Sequence, residues 1–169
     1  MTRSEPGRAI VRGLLTLACV AAGGLAAAAD RPIRVLFLGD KGHHVPAERF
    51  AQLQPVLAPR GVELTYTERL EDLAPETLAT FDVLAVYANI GSMSAAQEAA
   101  VLDYVRGGRG LVPLHCASFC FGNSPAWIDL VGAQFQKHGT GEFRTVNVAP
   151  DHPVMKGFGG FESWDETYV

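Results

Sequence analysis

The chain has 169 residues, 48% of them hydrophobic and 19% charged, with a formal net charge of −4 and three Cys. That length holds one domain, and its apolar share is that of a globular chain, while 18 Gly and 10 Pro are too few for a collagen-like or low-complexity one. The mildly acidic balance provides no cluster of Lys and Arg to follow a phosphate backbone, so nucleic acid is not an expected partner.

The first 29 residues differ from the rest. Arg3, Arg8 and Arg12 form a basic leader, a weakly apolar run extends from Gly13 to Gly24, and Ala26 to Ala29 lead into Asp30. These are the three parts of a secretory signal, so residues 1–29 are expected to be a signal peptide cleaved after Ala29. The apolar run is shorter than the ~20 residues of a membrane-spanning helix. No stable membrane insertion is expected after cleavage, and the mature domain, residues 30–169, is expected to be secreted or periplasmic. A lipoprotein signal at Cys19 would have Leu three residues upstream, where Thr16 stands. Cleavage removes three Arg and Glu5, which takes the net charge to −6. Cys116 and Cys120 remain, spaced as across one helical turn, and a bridge between them needs non-helical backbone.

From Ile33 the pattern changes. Ile33 to Leu38 is a nearly continuous apolar run ending at Gly39 and Asp40, as in a strand buried on both faces. Pro46 to Leu57 sets Phe50, Leu53 and Leu57 at helical spacing, with Pro46 suited to the first turn and Gly61 to a stop. Val62 to Tyr66 reads as a second strand, Leu70 to Ala79 as a polar connection with a short helix, and Phe81 to Tyr87 as a third strand. Ser94 and Gln97 form a capping box for a helix carrying Val101, Tyr104 and Val105, which Gly107 and Gly108 end. Gly110 to Leu114 is a fourth buried strand, Ala126 to Gln134 a short helix, and Glu142 to Val148 an alternating, more peripheral strand. Strands alternating with helices predict a mostly parallel sheet covered on both faces, a three-layer α/β sandwich. The segment from Gly157 to Val169 is rich in aromatics and carboxylates and has no terminating helix, so the domain is expected to continue beyond it.

Open α/β sheets bind ligands outside the carboxyl ends of their strands. That rule selects Asp40 to His44 after the first strand, Tyr87 to Ser92 after the third, and His115 to Ser118 after the fourth. Histidine in such loops serves as general base, proton donor or metal ligand. Of His43 and His44 the second is the better site candidate, and His138 lies in a further loop. Asp165 and Glu166 supply carboxylates. A mixed His and carboxylate set suits a divalent metal or proton transfer at a sugar carbon. Cys116 follows the fourth strand, where a nucleophile can be held exposed, but bulky His115 replaces the small residue a sharp elbow uses.

Gly107 to His115 running into Cys116 to Ser118, together with Gly39, His43, His44, Trp127 to Gly132, Phe135, His138 and Asp151 to Pro153, resembles the ThuA-like, trehalose-utilisation family. That family is related in fold to class I glutamine amidotransferases. The resemblance implies a flavodoxin-like sheet and a role in sugar catabolism, on oxidised (keto) disaccharides. It also implies a shared pocket around His44, His115 and His138, the candidate catalytic residues and candidate ligands of a divalent metal. Glutaminase activity is not implied, since family members often lack the amidotransferase Cys. Leu114 to Ser118 and Glu162 to Tyr168 are similar to a branch of secreted planctomycete-type proteins, whose domains accompany haem-binding or sugar-related modules. Further domains in a full-length protein are therefore expected.

Three functions follow as expectations. The first is a sugar-processing enzyme (a lyase, isomerase or hydrolase) in which Asp40, Tyr87, Asn89, Trp164 and Glu166 bind a small carbohydrate. The second is a non-catalytic carbohydrate-binding or scaffold module. The third is a Cys116-dependent, amidotransferase-like hydrolase.

Overall fold

The structure is a computed structural model that describes residues 31–169, and the expected signal peptide lies outside the described residues. Strand β1 (Ile33–Leu38) sets the plan. Its side chains alternate between the two faces of the sheet: Val35 and Phe37 pack with Phe50, Leu53 and Leu64, while Leu36 and Leu38 pack with Val101, Tyr104 and Trp127. The apolar run is continuous because both faces are covered.

The remaining elements follow in the expected alternation: α1 (Pro46–Leu57), β2 (Val62–Thr67), α2 (Pro75–Leu78), β3 (Val83–Val86), α3 (Ala95–Arg106), β4 (Gly110–Pro113) and α4 (Pro125–Val131). The four strands are parallel in the order β2-β1-β3-β4. Helix α1 covers one face, and α3 and α4 the other, so the three-layer, flavodoxin-like plan is present. The capping box is formed: Ser94 Oγ accepts from the Gln97 N–H at 3.3 Å and Gln97 Oε1 accepts from the Ser94 N–H at 2.8 Å.

Two expectations are corrected. The strand placed over Glu142 to Val148 is instead β5 (His138–Arg144), paired antiparallel with β6 (Glu162–Tyr168) in a separate two-stranded sheet. Val146 and Val148 lie beyond the ladder and are exposed; no β6 partner extends to them, so their alternation encodes no pairing. The second correction concerns β4, which is not fully buried. It is the edge of the four-stranded sheet, and Val112 is 44% exposed.

Gly39 is where the chain leaves β1 toward the loop that carries His44. A Cβ there would lie 2.5 Å from Tyr66 Oη and 2.7 Å from Pro46 Cβ. The proline ring cannot withdraw, being fixed at the start of α1. Gly39→Ala is expected to destabilise the domain by about 1–3 kcal/mol, read as a lower urea midpoint at unchanged m-value; an unchanged midpoint would show the loop to be slack.

Candidate functional site

The order β2-β1-β3-β4 reverses direction between β1 and β3, so the crevice of a parallel sheet opens at their carboxyl ends. Register keeps these ends level, since Leu38 pairs with Val86 and Val86 with Pro113. The loops after β1, β3 and β4 therefore meet above one point.

Asp40 joins the first two loops. Its carboxylate accepts from the Gly42 N–H at 2.7 Å and from the Asn89 N–H. His44 follows, and next to it Val45 has φ +48°, in the left-handed region, as the cap before Pro46 opens α1. After β4 the ladder continues to Leu114, whose N–H donates to Val86 O at 2.9 Å. His115 then also adopts φ +48°. Left-handed backbone at a non-glycine residue costs about 1–3 kcal/mol and persists only where the surroundings enforce it. Here it turns the chain into the 3-10 segment His115–Ser118, burying Cys116 and Ala117 and leaving the His115 side chain at the crevice.

The β5–β6 pair completes the site. His138 pairs with Tyr168 and Thr140 with Glu166, and residues two apart on a strand share a face. Trp164, Glu166 and Tyr168 therefore stand in one row. The row meets the parallel sheet at His115: Tyr168 stacks on its ring with centroids 4.6 Å apart and an interplanar angle of 27°, and Tyr168 Oη lies 3.2 Å from His115 Nε2. Glu166 bridges two histidines, with Oε2 3.5 Å from His115 Nε2 and Oε1 3.7 Å from His138 Nε2. His44 approaches His115 edge-on, with ring centroids 4.6 Å apart. His44, His115 and Glu166 each offer one donor atom, all within 4.8 Å of one another, which makes them the set able to hold a metal ion among the described residues.

Two open clefts flank the cluster. One of about 410 Å³ is lined by His43, His44, Asn89, Phe135, His138 and Tyr168. The other, of about 650 Å³, is lined by Arg49, Tyr87, His115, Trp164, Asp165 and Thr140. His44 and Glu166 border both. Either volume is that of a small-molecule site.

Burial, and then the neighbouring His115 and His43, hold the His44 pKa below the ordinary imidazole value, so its neutral ring is favoured as a proton acceptor. Burial and its hydrogen bond with Glu166 push the Tyr168 phenol up, which keeps its proton available for donation.

The structure thus gathers His44, His115, His138 and Glu166, with Tyr87 stacked on His115 at 5.9 Å and Asn89 in the smaller cleft. Trp164 is 66% exposed at the larger one. Asp40 is engaged by backbone amides and borders a different groove, with Lys41 and Glu68. His138 reaches Glu166 instead of joining His44 and His115 directly. Tyr168, Arg49 and Phe135 are the members that sequence reasoning missed. The alternation Trp164, Glu166, Tyr168 was the available signal for a strand with one functional face.

Cys116 is 1% exposed, and burial, with Cys120 nearby, pushes its thiol up to about 12. Cys120 is pushed up to about 11 by burial, and its Sγ donates to Ala88 O at 2.8 Å. Both are free thiols in the setting of inert structural cysteines, without the low pKa and access of a nucleophile. Native protein is expected to resist iodoacetamide at pH 8 and to react on unfolding; rapid native alkylation of Cys116 would reinstate the thiol-hydrolase reading. The same shifts set a stability slope. Unfolded thiols release protons near 9, folded ones about 2–3 units higher, so above pH 9 the folded state binds more protons and stability falls as pH rises. Cys116→Ala is expected to flatten the decline in melting temperature between pH 9 and 10.5.

A family model described as ThuA, trehalose utilisation, matches residues 34–169. No curated protein matches the chain. Among solved structures, the fold is similar to that of a protein from Bacteroides uniformis described as ThuA-like, with a TM-score of 0.69 and 19% identity over 86% of this chain and 64% of that one. It is also similar to a protein from Parabacteroides merdae of the same description, with a TM-score of 0.63 and 15% identity over 82% and 63% of the two chains. The chain spans less than two thirds of the length of either.

Proposed function

The chain belongs to the ThuA, trehalose-utilisation family, and from that membership we propose that it processes an oxidised sugar by proton transfer at a carbon next to a carbonyl. One observation carries the reading: His44, His115, His138, Glu166 and Tyr168 converge where the parallel sheet opens, between clefts of small-molecule size.

His115 is the principal acid-base group. Its ring is packed against His44 and Tyr168, Glu166 Oε2 lies 3.5 Å from its Nε2, and the Tyr168 hydroxyl sits beside the same nitrogen. His44, favoured as a neutral ring, is the second proton acceptor. Tyr87 and Trp164 offer aromatic faces to the apolar side of a sugar ring, and Asn89 offers an amide to its hydroxyls. The basic leader and the alanine exit support action outside the cytoplasm, and with it a carbohydrate partner met in the periplasm or beyond the cell. A binding module without catalysis is the second reading, favoured by the exposure of Trp164.

The test is turnover of a 3-keto-disaccharide, with exchange of the proton next to the carbonyl followed by NMR in deuterated water. A positioned acid or base contributes about 10²–10⁴-fold, so His115→Ala is expected to lower kcat by about 100-fold or more, while Trp164→Ala raises KM with little change in kcat. Unchanged exchange in His115→Ala would remove the acid-base assignment. Sugar binding with no turnover by the wild-type chain, lost in Trp164→Ala, would establish the binding module instead.

A further inference from the structure

The donor atoms of His44, His115 and Glu166 lie within 4.8 Å of one another, and the His115 to Glu166 edge of that triangle is 3.5 Å. Zinc bonds of about 2.0–2.2 Å to imidazole nitrogen and carboxylate oxygen place tetrahedral donors roughly 3.3 Å apart. The His115 to Glu166 edge already has that spacing. The His44 ring stands at 82° to that of His115, and a side-chain movement of roughly 1.5 Å closes the longest separation to the tetrahedral one.

Ion pairs with His115 and His138 explain two imidazoles facing Glu166, but they do not explain a third, His44, whose donor nitrogen lies within 4.8 Å of the donor atoms of His115 and Glu166. A cation shared by His44, His115 and Glu166 explains it. We propose that His44, His115 and Glu166 bind one divalent transition-metal ion of the zinc class, leaving a fourth position toward the clefts.

The chemistry of the donors selects the ion. Two imidazole nitrogens and one carboxylate suit zinc and its neighbours, whereas calcium and magnesium take oxygen ligands. Three protein ligands with one position open is also the pattern of catalytic rather than structural zinc. The surroundings fit a supported ligand set. Glu166 binds through Oε2 while Oε1 faces His138 Nε2 at 3.7 Å, the kind of outer partner that fixes a ligating carboxylate. Because His44 and Glu166 border both clefts, the ion sits in their common wall. In its role the proposal rests on the sugar-processing reading but changes the part the two histidines play there: in the metal-loaded chain His44 and His115 are ligands, and the ion, by polarising a carbonyl oxygen, would take the place of their acid-base work.

The experiment uses the untagged full chain, loaded with Zn²⁺, dialysed, and counted for metal by mass spectrometry, with affinity measured by chelator competition. One zinc per chain is expected. Glu166→Gln and His44→Gln are expected to weaken binding at least roughly 100-fold, and His138→Gln, an outer partner, roughly 10–100-fold. His152→Gln, away from the site, leaves affinity unchanged. Circular dichroism establishes that each variant is folded, and visible absorption of the Co²⁺-loaded chain reports the ligand field independently, with a changed spectrum in His44→Gln. Zinc that is not retained, or retained equally by the wild type, Glu166→Gln and His44→Gln, overturns the site. Metal content is read without sugar, so a zinc-binding chain that turns over no keto-sugar overturns only the functional reading. Full turnover after chelation overturns only the metal's role.

Discussion

The contact between Tyr168 and His115 makes one site out of two sheets. The parallel sheet by itself places His44 beside His115, and the antiparallel pair by itself places His138, Glu166 and Tyr168 on one face. Their meeting depends on a stacked ring pair with centroids 4.6 Å apart, reinforced by Phe135, whose ring lies 4.6 Å from that of Tyr168 and whose N–H donates to Ser118 O at 3.0 Å. Aromatic pairs contribute about 0.5–1.5 kcal/mol beyond their burial, whereas the left-handed backbone of His115 costs about 1–3 kcal/mol. Stacking alone does not offset that strain. Burial of Cys116 and Ala117 directly behind the turn adds to the stacking, as do the Ala117 N–H donating to Leu114 O at 3.0 Å and the Phe119 N–H donating to Cys116 O at 2.9 Å.

This gives the cysteine a meaning different from the one its position first suggests. At a strand-to-helix turn the exposed place goes to the residue with the strained backbone, and here that residue is His115. Cys116, one step further, points inward. A fold related to thiol-dependent amidotransferases thus presents an imidazole at the crevice and keeps its sulfur in the core. The proposed acid-base work fits that exchange, since a ring that takes up and returns protons needs neighbours that orient it and a nearby carboxylate, and Tyr168 and Glu166 stand beside His115.

The parallel core was legible in the sequence because each of its signals is local. The run Ile33 to Leu38, the proline at the start of α1 and the Ser94–Gln97 box each require only a few neighbouring residues to be read. His44 and His115 were legible through a rule about strand ends. The β5–β6 pair was not, because its strands carry no continuous apolar run and are amphipathic in a mixed way, with His, Glu and aromatics on one face. Val146 and Val148 mimic a strand better than the true one does, and drew the expected boundaries past the ladder. Tyr168 escaped because its role depends on a contact with a residue 53 positions away.

The Asp40 carboxylate, bonded to amides of two different loops, has a further effect that belongs to the thermodynamics of ligand capture. Loops after parallel strands are usually free to sample many shapes, and a ligand that selects one must overcome the lost chain entropy. With the loops after β1 and β3 tied to a single anion, their relative freedom is already spent in folding. A small molecule in the cleft beside His44 and Asn89 therefore meets a wall whose two halves shift together, and more of its contact energy is left to appear as affinity.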